Sequence, residues 1–288
     1  MKRRAEMAAK AYREALRLRS RTGRAANVPL CPFDLADQIG VEVRFADIPS
    51  LEAVYIEDGE PKILVAADRP PGRQRFSCAH ELGHHVFGHG AHLAAIDFSL
   101  SERRGLTDEE FSAQAFAGYL LLPKAAVSHA FAVRKWSPRA GIPEEYYTIA
   151  GVLGVSFEGL VTHCEIGLRV LAKKDAAALR AVDLPRLRQK LVGQPVHGNV
   201  VVVDERSSDA AIDVRVGDYL LAPSGSSSVN DAVVTEVTMP DATLLRARRA
   251  GLSGIQTAPC SAVGAIRVAR ANYVGRAIFR HLEDPDDV

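Results

Sequence analysis

The sequence predicts an α+β protein: a helical N-terminal domain with a small sheet (1–130), a helix-turn-helix-like helical neck (131–190) and a β-rich C-terminal module (191–288). Three observations carry that expectation. Helix-forming runs with apolar residues at helical spacing dominate the chain before residue 190, two β-rich runs interrupt them between Ala53 and Ala66, and short β-rich runs separated by Gly, Pro, Ser and Asp take over after Gly193.

From Glu6 to Leu18 the chain is rich in Ala, Leu, Arg and Glu, with Met7, Ala11, Ala15 and Leu18 on one face, so an amphipathic helix with a basic outer face is expected. Phe33 to Gly40 reads as a short helix capped by Asp34 and closed by Gly40, leading into a strand from Val41 to Phe45. Ala53–Ile56 and Lys62–Ala66 flank the turn signal Asp58-Gly59 and predict a hairpin, whose exit Pro61 weakens as a central strand. After Pro70-Pro71-Gly72 a helix is expected from Gln74 to Phe87. A second runs from Asp108 to Leu122, with Thr107 as N-cap, Glu110 three residues on in the capping-box position and Pro123 at its end. Helices at Glu144–Gly154 and Ser156–Ile166, hinged at Gly154-Val155-Ser156, and a third at Lys173–Gln189 form the neck. The expected strands of the C-terminal module are Val200–Val203, Tyr219–Ala222, Val233–Val237, Thr243–Ala247 and Ala262–Val268, and the acidic tail Glu283–Asp287 reads as frayed.

Composition sets the outer limits. With 36 Lys+Arg against 35 Asp+Glu and 47% hydrophobic residues, the chain is not disordered as a whole and has material for a core in each of two domains. The net charge of +1 gives no global reason to bind nucleic acid or an anionic membrane, but nine bases and two acids between Met1 and Arg24 make that segment 9 − 2 = +7 and the remainder −6. Cys31, Cys78, Cys164 and Cys260 form no C-x-x-C, which argues against a disulfide framework or a cysteine zinc knot and for a reduced, cytoplasmic protein. No run approaches ~18 apolar residues and no apolar signal region follows the basic N-terminus, so neither a membrane-spanning nor a secreted protein is expected.

The chemistry lies in RQRFSCAHELGHHVFGHG, where His80-Glu81-Leu82-Gly83-His84 spells H-E-x-x-H. At ~100° per residue, positions i and i+4 lie only ~40° apart around a helix, so His80 and His84 can face one metal ion, zinc being the expected one. Glu81, one step round, can take a proton from water without being a ligand. A catalytic zinc needs a third protein ligand. His85, His89 and His92 are local candidates, although His85 points ~100° from His84 and His89 requires the helix to end near Gly88. Gly90 stands where the elongated metzincin motif needs a histidine. Glu110 is the better candidate, because with Gln114 one turn later it forms a polar stripe on an otherwise apolar helix, whereas Asp108 and Glu109 read as a solvated helix start. Cys78 falls on the opposite face from His80.

Together, RQRFSCAHELGHHVFGHG and EFSAQAFAGYLLLP resemble the ImmA/IrrE family of zinc metalloendopeptidases, with R-x-x-F-x-x-A-H-E-x-G-H and E-x-x-A-N-x-F-A-x-x-L-L-M-P as its motifs. The matching residues include Arg75, Phe76, Ala79, His80, Glu81, Gly83, His84, Glu110, Ala113, Phe116, Ala117, Leu120, Leu121 and Pro123, and the first arginine also fits as Arg73. Gln114 replaces the usual Asn, keeping an amide, and Leu122 replaces the usual Met. The similarity spans roughly residues 8 to 170. It implies a zincin-like catalytic domain with His80, His84 and Glu110 as zinc ligands and Glu81 as general base. It also implies a substrate class, helix-turn-helix transcriptional repressors whose cleavage switches on stress, phage or mobile-element genes.

The expected reaction is zinc-dependent cleavage of a protein substrate, with a peptide held as an added strand near Ala53–Ile56. Tyr119, His129, Tyr146 and Tyr147 stand as alternative oxyanion donors. The rival reading is a zinc-stabilised DNA-binding or protein-binding regulator without protease activity. Its recognition helix would be Ser156–Ile166, which holds Glu158 and Glu165 but no Lys or Arg, leaving the basic N-terminal helix as the alternative DNA contact. VGDYLLAPSG, residues 216–225, faintly resembles the β-domains of self-cleaving repressors, but Lys190 is the last lysine, so a serine followed by a lysine base is excluded there. A sensing or partner-binding role is expected for the module, with a GAF-like fold as the alternative.

Overall fold

The computed structural model describes residues 2–90, 106–207, 211–257 and 261–282. In chain order the elements are α1 (Lys2–Arg21), α2 (Pro32–Gln38), β1 (Glu42–Ala46), β2 (Ala53–Ile56), β3 (Lys62–Ala66), α3 (Pro71–Phe87), α4 (Asp108–Leu121), α5 (Lys124–Ala132), α6 (Pro143–Leu153), α7 (Phe157–Thr162), α8 (Lys173–Arg180) and α9 (Leu184–Val192). Then come β4 (Val200–Val202), β5 (Ile212–Arg215), β6 (Tyr219–Pro223), β7 (Ser227–Ser228), β8 (Val233–Thr238), β9 (Ala242–Ala247), β10 (Gly251–Thr257), β11 (Ser261–Ala269) and β12 (Gly275–Arg276). This is an α+β fold in two compact units. One comprises the chain up to Ala126 with Asn272–Ile278, the other Val127–Ala271 and the chain from Phe279 onward.

In the first unit the sheet order is β12-β1-β3-β2, with β1 and β3 parallel and β2 antiparallel to β3. The expected hairpin forms in the register Ala53↔Val65 to Ile56↔Lys62, leaving β2 outermost. Residues that the sequence assigns to the C-terminal module return here. β12 pairs with β1, Arg276 approaches Glu42 at 3.4 Å, and Tyr273 sets its ring against Phe45.

Two tethers fix α3 to this sheet. The Gln74 side-chain amide donates to the carbonyls of Ala66 and Ala67 at 2.7 and 3.1 Å, and buried Glu52 accepts from Arg69 at 2.8 Å and forms an ion pair with Arg73 of α3 at 2.8 Å. On its other side α3 packs against α4, and α4 in turn packs against α1 through the face formed by Ala11, Ala15 and Leu18. Arg19 departs from the expected basic outer face. It is buried and donates to the carbonyls of Leu120 and Ala25, at 2.7 and 2.8 Å, and to that of Val28. Burial, helped by Arg24, pulls its pKa down to about 10.

The second unit joins the neck helices to the β-module. α6 and the helical stretch after Gly154 meet at 104°, within the range of a helix-turn-helix, but Phe157, Leu160 and Val161 of α7 are buried. Arg134 forms a two-bond ion pair with Asp204 at 2.6 and 2.7 Å, and the Tyr147 hydroxyl donates to Val200 O at 2.8 Å. The β-module consists of the sheets β5-β11-β10-β7 and β4-β6-β9-β8, which share one core including Val201, Leu220, Leu245, Ile255 and Ile266. Among the described residues no α-helix lies in the chain between β4 and β12, and α6 of the neck packs against β4.

Three local expectations change. Pro32, with its backbone preset for a first helical turn, starts α2 ahead of the expected cap, so Cys31 is the cap and Asp34 sits inside the first turn. The expected single helix Lys173–Gln189 is two, because Asp183 caps a new start through the amide of Arg186 and Pro185 opens it. Strands β5, β7, β10 and β12 are additional: β10 contains two glycines, and β7 and β12 are two residues each. The tail Glu283–Asp287 and Cys260 lie outside the described residues. Among the described residues no single helix is long and apolar enough to cross a membrane.

Candidate metal centre

Helical periodicity brings His80 and His84 to one face of α3. Helix α4 opens with Thr107, whose hydroxyl accepts from the Glu110 amide at 3.2 Å, and this start sets Glu110 in the first turn opposite those histidines. The ring nitrogens Nε2 of His80 and His84 are 3.0 Å apart. Glu110 Oε2 lies 3.2 Å from the first and Oε1 3.4 Å from the second.

That triangle has the dimensions of a metal site. Ligand bonds of ~2.1 Å at tetrahedral angles separate donor atoms by ~3.4 Å, and His₂Glu is a donor set of catalytic zinc centres. His80 and His84 are buried, and His80 Nδ1 has no hydrogen-bond partner among the described residues. His80, His84 and Glu110 could therefore hold a metal ion, and among the described residues they are the group of this kind.

The close approach of the two helices depends on Gly83. A Cβ there would lie 2.9 Å from the Ala113 Cα and 3.1 Å from its carbonyl oxygen, contacts that backbone atoms cannot relieve by rotating a side chain. Glycine thus fits the helix-to-helix spacing that the Glu110 contact needs.

Glu81 lies beside the triangle and is wholly buried. Burial and then the Glu110 carboxylate push its pKa up to about 8, while the Tyr55 backbone N–H pulls the other way without closing a full hydrogen bond. An acceptor of that strength is suited to taking up and returning a proton near neutrality.

The other histidines and acids separate clearly. His85 turns to β2, where its Nδ1 lies 2.8 Å from the Tyr55 hydroxyl, and burial holds its pKa below the usual histidine value. His89 Nδ1 meets His84 at Nδ1, 3.1 Å away, so it approaches from behind that ring and not at the nitrogen facing Glu110. His92 lies outside the described residues. Asp108 pairs with Arg3, and Glu109 is exposed. Cys78 is buried in α3 and outside the metal-binding group. Of the oxyanion candidates, Tyr119 sets its ring against Tyr12, Tyr146 and Tyr147 donate to the carbonyls of Pro138 and Val200, and His129 is exposed. Gln114 is half-buried on α4.

Sequence reasoning did not find the Tyr55–His85 contact, the approach of His89 to His84, or the Arg19 anchor. A signal existed for one of them: Gly88 is a helix-ending glycine, and a chain reversing there returns the next residue over the last turn.

None of the curated proteins compared matches the chain. The family model described as the IrrE N-terminal-like domain, a peptidase domain, matches residues 36–163, which contain α3, α4 and the His80, His84 and Glu110 triangle. Over those residues the chain is similar to the IrrE N-terminal-like peptidase domain.

Proposed function

We propose that this protein is a zinc-dependent endopeptidase that cleaves a protein substrate, in particular a helix-turn-helix transcriptional repressor, and so switches on stress, phage or mobile-element genes. The observation that carries the reaction is the convergence of His80, His84 and Glu110 at 3.0 to 3.4 Å with buried Glu81 alongside. The substrate class is supported by the family resemblance alone.

His80, His84 and Glu110 would hold the zinc, which would supply a Lewis acid able to lower the pKa of water toward ~7 and to polarise a carbonyl. Glu81, at a carboxylate oxygen, accepts the proton of the attacking water and delivers it to the leaving amine. Strand β2, outermost in its sheet and adjacent to α3, offers main-chain groups to an extended peptide, which would add as a further strand. The β-rich module, residues 191–288, is assigned a sensing or partner-binding role, and the reaction is assigned to the cytoplasm, in keeping with cysteines that form no C-x-x-C.

Digestion of a peptide library by the purified full chain, read by mass spectrometry, tests the activity. Cleavage should stop on removal of metal with a chelator, return with added Zn²⁺, and be absent from Glu81→Gln. Cleavage unaffected by chelation, or equal in Glu81→Gln, would contradict the proposal.

A further inference from the structure

The end of α3 folds a histidine back onto a proposed metal ligand. Gly88 adopts the left-handed conformation, φ 66°, and its N–H bonds the carbonyls of His84 and His85. The chain reverses there, and the His89 N–H reaches His84 O at 3.1 Å. Its ring then meets that of His84 edge-on, with centroids 5.1 Å apart, planes at 72° and the two Nδ1 atoms separated by 3.1 Å. Phe87 stacks on the His89 ring at 5.5 Å and is itself set against Phe116 at 5.8 Å, so ring packing and backbone together restrict where His89 Nδ1 can lie.

Tautomer chemistry gives this contact a direction. His84 directs Nε2 at His80 and Glu110. A neutral imidazole that offers Nε2 as a lone-pair donor carries its proton on Nδ1, and here that atom faces His89. We infer that His89, with its own proton on Nε2, accepts a hydrogen bond from His84 Nδ1–H and is a positioning residue that fixes the rotation and tautomer of the metal-binding imidazole. The inference rests on the reading of His80, His84 and Glu110 as metal ligands. It also distinguishes the two histidines, since His80 Nδ1 is buried with no such partner among the described residues.

The test uses the metal-free full chain as wild type, His89→Phe and His89→Gln. Zn²⁺ affinity is measured by chelator competition and Co²⁺ binding by its visible absorption. Phenylalanine keeps a ring for Phe87 but cannot accept, and should weaken Zn²⁺ binding by ~10–100-fold and change the Co²⁺ spectrum. Glutamine, whose carbonyl oxygen can accept, should recover most of the affinity, and thermal melting of the metal-free proteins should coincide. Should the Phe variant melt early, His89→Leu repeats the comparison without an aromatic ring. Wild-type affinity and spectrum in the Phe or Leu variant, or a Gln variant as weak as Phe, would overturn the inference. Failure of the wild type to bind either cation would instead overturn the metal-site reading itself.

Discussion

Glu81 and Arg19 are both buried for different reasons, and their substitutions should fail differently. Glu81 touches the site without being counted among the three donors, so Glu81→Gln should retain metal at the wild-type stoichiometry while peptide cleavage falls by at least ~100-fold, the lower end for loss of a general base. Metal analysis beside a turnover assay checks both halves of that outcome. Arg19 is buried at the far end of α4, where it satisfies the carbonyls of Leu120, Ala25 and Val28. Arg19→Met keeps much of the side-chain volume but leaves those acceptors without their donor. A loss of ~2–4 kcal/mol of unfolding free energy is expected by urea titration, and a loss below ~0.5 kcal/mol would place the variant with ordinary surface substitutions.

Between elements, the site depends on how closely α3 and α4 approach. Gly83→Ala should force the helices apart at Ala113, costing ~1–3 kcal/mol from overpacking and weakening metal binding more than it changes the helix content seen by circular dichroism. Unchanged affinity would mean that the spacing at Gly83 does not set the position of Glu110. Much of this layer was legible in the sequence. The H-E-x-x-H spacing brought His80 and His84 together, the Thr107 cap placed Glu110 in a first turn, and the β2–β3 hairpin followed from Asp58-Gly59. What was not legible depends on contacts between distant segments or on weak local propensity. β12 is two residues whose pairing partner lies more than two hundred positions away, and β10 is held in its sheet despite Gly251 and Gly254. Arg19 looked like one more base on a solvated face because sequence periodicity does not report the carbonyls of Leu120, Ala25 and Val28 that it meets.

Across the whole molecule, the second unit provides a pH-dependent test separate from the metal centre. Burial alone would raise the Asp204 carboxyl, but the Arg134 guanidinium, with help from Ser207 and the Arg206 amide, holds it below its ordinary value. A depressed folded-state pKa contributes stability that is complete above the unfolded value of ~3.9 and is lost as pH falls through the folded value. The difference in unfolding free energy between wild type and Asp204→Asn should therefore be constant near neutrality and shrink below pH ~4. A difference that does not change on acidification would contradict the assignment. For the protein as a working enzyme, the central claim is Glu81-dependent proteolysis. Its most direct measurement compares new protein N-termini, by mass spectrometry, in host cells that carry the wild type and in cells that carry Glu81→Gln. The account predicts a protein cut only in the wild-type cells, that protein being a helix-turn-helix repressor. Identical N-termini in the two strains, unstressed and under DNA damage or oxidative stress, would contradict it.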